Sequence, residues 1–235
     1  MSDRPIAWVI GVGGIGAALV ERLSELHTVV CFDIEQAATD AAFFLVDASD
    51  RAAFTEAAAE AYELHGAPDV FVVAAGRVSY LSVEAATPED VTALLTDNLI
   101  LAINVLHTVY NLGPERRRIC VLVASNAAFT PRPGQSIYAA AKAAITSLVG
   151  SLAVGWAAAG IRVFGIAPGT VLVDRNRARV AQQYPSAPLD PSRPGGRLVQ
   201  PAEIAEFVAA LLPHADHLTG QVIVYDGGST LTVRQ

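Results

Sequence analysis

The stretch IAWVIGVGGIGAALVERLSEL, residues 6–26, decides how the chain is read. A short apolar run ends in a cluster of glycines, and a helical pattern starts directly after them. The same alternation recurs to the C-terminus. The apolar runs are HTVVCFD, AAFFLVDA, DVFVVAAG, RRICVLVAS, GIRVFGIAPG and GQVIVYDGG. Between them lie alanine-rich segments such as DRAAFTEAAAEAYELHG, PEDVTALLTDNLILAINVLHTVYNL and YAAAKAAITSLVGSLAVGWAAAG. Strands that are apolar throughout, separated by helices, predict a parallel sheet covered on both faces. The expected fold class is therefore α/β, a single-domain doubly wound sheet of about seven strands with helices on both faces. In such a sheet ligands bind outside the carboxyl ends of the strands, where the winding direction reverses.

The bulk numbers narrow the function. At 235 residues the chain is sized for one domain spanning its whole length. Its formal charge is −7 and its basic residues form no long run, which argues against a nucleic-acid partner. No apolar segment is expected to reach the ~20 residues of a bilayer span. The N-terminal MSDRPIAWVIGVGG lacks a basic start and a cleavage site, so the expectation is a cytoplasmic protein with no membrane partner. Cys31 and Cys120 fall in strands, where cysteine serves as a small hydrophobe. His214 and His217 come with no ligand set beyond Asp216 and read as a surface turn, so no metal is expected.

Gly11, Gly13 and Gly16 match the dinucleotide fingerprint, in which bare backbone lets a pyrophosphate approach a helix N-terminus. The second strand ends in Asp33, where a carboxylate accepts from the adenosine ribose hydroxyls. A Rossmann-type cofactor site follows. A carboxylate there repels the extra phosphate of NADP, and no Arg or Lys adjoins it in FDIE, so NAD is favoured over NADP. Asp47 and the Ala48 amide, at the end of the third strand, are placed for the adenine amino group; a helix N-cap is the alternative for Asp47.

Ser125 ends the strand ICVLVAS, Tyr138 comes thirteen residues later, and Lys142 follows one helical turn on. Side chains four apart share a helix face. A tyrosine serves as acid or base at neutral pH only if its anion is favoured, which a nearby ammonium does. The serine hydroxyl can bond a substrate oxygen as charge develops on it. Together these residues read as a hydride-transfer site.

At this point the sequence resembles the short-chain dehydrogenase/reductase family over nearly its whole length. The likeness rests on GGIG after the first strand, AAG at 74–76, DNL around Asn98, Ser125, YAAAK, APG at 167–169 and the closing PAEIAEFVAALLPHADHLTGQVIVYDGG. The resemblance implies that Ser125, Tyr138 and Lys142 are catalytic, and that Asn98 holds a water in a proton relay to Lys142. It also implies a cofactor held by Gly11, Gly13, Gly14, Ile15 and Gly16, by Ala74, Ala75 and Gly76, by Tyr138 and Lys142, and by Pro168, Gly169 and the backbone of Val171.

Three departures from the family pattern stand out. Ile10 occupies the place of the first glycine, which makes the loop one residue tighter. Ala74 and Ala75 replace an asparagine that steadies the central strand. Val173 stands where a threonine often meets the carboxamide end of the cofactor.

Residues 170–200 show little periodicity and read as a substrate loop. Arg175, Arg177, Arg179, Arg193 and Arg197 gather in it, suited either to gripping an anionic hydroxy or keto substrate or simply to solvation. The helix after Tyr138 is apolar or small nearly all round, which predicts a partner subunit and a homodimer or homotetramer. The leading expectation is an NAD-dependent oxidoreductase interconverting a secondary alcohol and a ketone. Its rivals are a catalytically silent cofactor-binding regulator or scaffold, and an enzyme that keeps the cofactor for a net non-redox reaction.

Overall fold

The computed structural model describes residues 4–113, 117–130, 132–183, 187, 189 and 194–231. Seven strands form one sheet: β1 (Ile6–Ile10), β2 (Thr28–Asp33), β3 (Ala42–Leu45), β4 (Val70–Val73), β5 (Arg118–Val123), β6 (Ile161–Pro168) and β7 (Val222–Tyr225). Their spatial order is β3-β2-β1-β4-β5-β6-β7, and every adjacent pair is parallel. The winding reverses between β1 and β4, so a crevice opens above their carboxyl ends.

Side-chain alternation explains why the strands carry no polar face. Ala7 and Val9 of β1 enter one core with Leu19, Leu23, Ile204 and Val208. Trp8 and Ile10, pointing the other way, enter a second core with Phe54, Val105, Val109 and Val149. The first core is closed by α1 (Ile15–Ser24) and by α7 (Pro201–Leu211), after which α8 (Ala215–Leu218) leads toward β7. The second is closed by α2 (Arg51–His65), α4 (Leu101–Leu112) and α5 (Ser136–Gly155). Burying each large apolar side chain contributes about 1.5–3 kcal/mol, so both layers are needed to hold the sheet.

The segment read as one helix from Pro88 is continuous but not uniform. It starts as α3 (Pro88–Leu95), where Thr87 and Asp90 cap each other's backbone amides. It then widens into a π turn over Thr96–Ile100 before α4. Asn98 sits in that wide turn, and its side-chain amide donates to the Leu94 carbonyl at 3.0 Å.

Two expectations need correction. The substrate loop is not structureless: Asp174–Asn176 form a 3-10 turn and Arg177–Gln183 form α6. RARVAQQ is made of helix-forming residues, and Val180 anchors it in full burial. Secondly, Pro88–Leu112 and Ser136–Gly155 are, by length and composition, apolar enough to cross a membrane. Here both lie along the sheet, because a helix covering a fully apolar strand layer must itself be apolar on that face.

Cys31 and Cys120 are fully buried in β2 and β5, and burial pushes both thiols up, Cys31 to about 12. His214 and His217 are exposed beside Asp216, whose carboxylate pairs instead with Arg162 and Arg117 at 2.9 and 3.3 Å.

Candidate active site

The glycine loop is tight, and its glycines divide into two kinds. Gly11 has φ +88°, and its amide donates to the Phe32 carbonyl at 2.8 Å. A Cβ at Gly11 would fall 2.4 Å from the Ala75 amide nitrogen, and one at Gly16 would fall 1.8 Å from the Gly11 carbonyl oxygen. These two glycines therefore let the loop fold onto itself and lie off the cavity wall. Gly13 differs, with nothing within 4 Å of its missing side chain. Gly13, Gly14 and Ile15 line a cavity of about 480 Å³. Gly14 caps α1 without any side-chain acceptor, so no side chain competes for the helix's first amides. An open glycine beside an uncapped helix start fits a pyrophosphate.

Asp33 is half-buried where β2 ends. Its carboxylate accepts from the Val12 amide at 2.5 Å and from the Ile34 amide at 2.7 Å. Asp47 is exposed and accepts from the Ser49 amide at 2.8 Å. It is not the helix cap, because Asp50 fills that role for α2 through the amides of Ala52 and Ala53. Ala48 is buried beside it. Among the pieces after β4, Ala74 and Gly76 reach the cavity, while Ala75 stands behind Gly11. The Ala74 and Ala75 amides both donate to the Ile10 carbonyl, so backbone bonds fix the turn where asparagine is missing.

Ser125, Tyr138 and Lys142 all line this one cavity and are each at least nine-tenths buried. Ser125 opens a 3-10 turn, its hydroxyl accepting from the Ala127 amide at 3.2 Å. Tyr138 and Lys142 occupy one face of α5, the ammonium 6.0 Å from the centre of the phenol ring and donating to the Val123 carbonyl at 3.1 Å. Burial dominates both pKa values. It raises the Tyr138 phenol, against a lowering hydrogen bond with Ser125 and the charges of Arg175 and Arg132. It lowers Lys142 to about 8, with Arg175 adding in the same direction. Desolvation therefore outweighs the neighbouring cations, and the Tyr138 phenol stands above its ordinary value rather than below it as the sequence reading expects.

Asn98 does not reach the wall. Its side chain accepts from the Arg77 amide at 3.2 Å and donates to the Arg77 carbonyl at 3.0 Å. Gly76, with φ +149°, lies between it and Lys142, since a Cβ there would stand 2.7 Å from Asn98 Oδ1 and 3.2 Å from Lys142 Nζ.

Pro168, Gly169 and Val171 line the cavity as expected, and the Val171 carbonyl accepts from the Asn176 side chain at 2.8 Å. Val173 closes over Gly14, where an added Cβ would fall 2.8 Å from its Cγ1. Of the loop arginines, Arg175 and Arg179 face the cavity; Arg177 pairs with Asp174 and Arg197 with Glu203, both away from it. Arg193 lies outside the described residues. Sequence reasoning missed Arg77, Tyr80, Asn126, Arg132 and Gln135, which also line the cavity. Asn126, next to Ser125, was the one with a local signal.

Comparison with known proteins places the chain in a family. A family model described as enoyl-(acyl carrier protein) reductase matches residues 11–230. The chain is 31% identical to 2,3-dihydro-2,3-dihydroxybenzoate dehydrogenase of Escherichia coli K12, covering 95% of this chain and 96% of that one. It is 32% identical to 3-hydroxyacyl-CoA dehydrogenase type-2 of Bos taurus, over 92% and 91% of the two chains. A short-chain dehydrogenase from Leptospira borgpetersenii with bound NAD+ superposes with a TM-score of 0.85 at 25% identity, covering 97% of this chain and 93% of that one. A seven-stranded parallel sheet, a glycine cradle and this breadth of matching together mean that the chain belongs to the short-chain dehydrogenase/reductase family of oxidoreductases.

Proposed function

We propose that this protein is an NAD-dependent oxidoreductase that interconverts a secondary alcohol and a ketone. The observation that carries the reading is the convergence of Ser125, Tyr138 and Lys142 on the cavity that Gly13, Gly14 and Ile15 also line. A bound nicotinamide supplies or takes the hydride. Gly13, Gly14 and Ile15 would hold the dinucleotide phosphates, Asp33 the ribose, and the Pro168–Val171 segment the carboxamide end. Ser125 bonds the substrate oxygen and Tyr138 exchanges its proton. Lys142, at about 8, keeps its charge at neutral pH and favours the phenolate once the proton has left. Asn98 holds the backbone of Arg77 and the wide turn in α3–α4, and so sets the floor beneath Lys142.

The preference for NAD rests on the Asp33 carboxylate, with no cation adjoining it in sequence. The outward faces of α4 and α5, with Tyr110 38% and Val154 81% exposed, are proposed to meet a second copy of the chain.

The test titrates NADH and NADPH by fluorescence and then follows reduced-cofactor absorbance with a panel of neutral and anionic ketones and alcohols. Tight NADH binding with turnover supports the reading. Binding without turnover across the panel supports the silent cofactor-binding role instead.

A further inference from the structure

We propose that the substrate carries an anionic group, a carboxylate or phosphate, received in the cavity by Arg175 and Arg179; this deepens the oxidoreductase reading and rests on it. The chain as a whole has a charge of −7, yet among the described residues that line the cavity Arg77, Arg132, Lys142, Arg175 and Arg179 are cationic and none is Asp or Glu. Cations gathered on a cavity of an acidic protein give it a local field of the opposite sign to the bulk.

The cations are not equivalent. Arg77 is paired with Asp97 at 2.7 Å. Arg179 lies over the Tyr80 ring at 4.4 Å and bonds Gln183, which fixes its plane. Arg132 donates to Asn126 Oδ1 at 3.1 Å, while the Asn126 amide donates to the buried Asp226 at 3.0 Å. Asp226 is itself held by the Gly228 and Thr230 amides and by Ser229, so the position of Arg132 is set from the C-terminal segment. Arg175 has no carboxylate within ion-pair distance among the described residues, and its charge reaches both Tyr138 and Lys142. Guanidinium forks match carboxylate and phosphate oxygens in two-pronged fashion. An anion seated among them would also offset the repulsion that Arg175 exerts on buried Lys142.

The competing occupant is the cofactor's own phosphate, because Val173, two residues before Arg175, lies against Gly14. The experiment therefore measures five affinities on the whole protein, that for NADH and those for two pairs of ligands. With the NADH complex, acetoacetate is compared with acetoacetamide, and hydroxyacetone phosphate with hydroxyacetone, by the change in nucleotide fluorescence. The charged member of at least one pair is expected to bind about 10-fold more tightly or better, and the pair that shows it separates carboxylate from phosphate. Arg175→Gln is expected to remove most of that preference, Arg175→Gln with Arg179→Gln the rest, and Arg177→Gln none of it.

Equal binding of charged and neutral members overturns the proposal. So does a preference that survives the double variant, or a loss confined to NADH affinity. Turnover is read separately. Charged preference without NADH oxidation leaves the anion site standing and removes the redox reading, whereas oxidation by neutral members alone does the reverse.

Discussion

The Asp33 carboxylate accepts a hydrogen bond from the Val12 amide at 2.5 Å, tying the end of the second strand to the middle of the glycine loop. One side chain thus stabilises the loop and stands where the cofactor's ribose is proposed to lie. Asp33→Ala is expected to weaken NADH binding about 10-fold, with loss of a charge-assisted bond, and to narrow the gap between NADH and NADPH. Fluorescence titration of both nucleotides measures it, and an unchanged ratio would remove Asp33 from the argument for NAD.

Gly13 and Gly16 separate cradle from scaffold. Gly16→Ala drives a Cβ to 1.8 Å from the Gly11 carbonyl, so the loop must shift, at about 1–3 kcal/mol of stability. Gly13→Ala meets nothing within 4 Å, so it should unfold like the native chain while losing NADH affinity. Thermal melts alongside nucleotide titration check both. Equal NADH binding by Gly13→Ala would place the phosphates elsewhere.

For Tyr138→Phe, kcat should fall about 10²–10⁴-fold with NADH affinity retained. Ser125→Ala should lower kcat about 10²-fold or more, and should also destabilise the chain slightly, since its hydroxyl accepts from the Ala127 amide. Steady-state rates on any substrate found in the panel decide this. Near-native turnover by Tyr138→Phe would sink the proton-transfer role.

Lys142 gives a pH signature. Its pKa is about 8 in the folded chain against an ordinary 10.5, chiefly from burial and secondarily from Arg175. Between those values the unfolded chain holds a proton that the folded chain has released, so folding becomes more favourable as pH rises. Tyr138 acts the other way above its ordinary 10.0, because burial keeps the folded phenol protonated. The window for Lys142 is therefore about pH 8 to 10. Urea unfolding should show the native chain gaining on Lys142→Met across that window, with a constant gap below it.

Light scattering should give a mass that is a multiple of 24.6 kDa. A monomer at micromolar protein would leave the exposed side chains of Tyr110 and Val154 without the proposed partner.

Local order was written in the sequence. Strand runs without polar alternation required both faces of the sheet to be covered, and β1 divides its side chains between the two cores accordingly. The spacing of Tyr138 and Lys142 placed them on one face because a helix repeats every 3.6 residues. Gly11 and Gly16 were legible for a similar reason: a tight strand-to-helix turn leaves no room for side chains.

Tertiary structure decided which charges meet. Arg132 enters the cavity because Asn126 reaches Asp226, one hundred residues further along, and no local period encodes that meeting. Arg175 and Arg179 were separated from Arg177 and Arg197 by the turn and helix at 174–183, which aim two guanidinium groups inward and leave the others to Asp174 and Glu203. Spacing along a chain fixes only neighbours on one element. Contacts between elements depend on how the layers pack, so the sign of the field in the cavity became visible only once they were assembled.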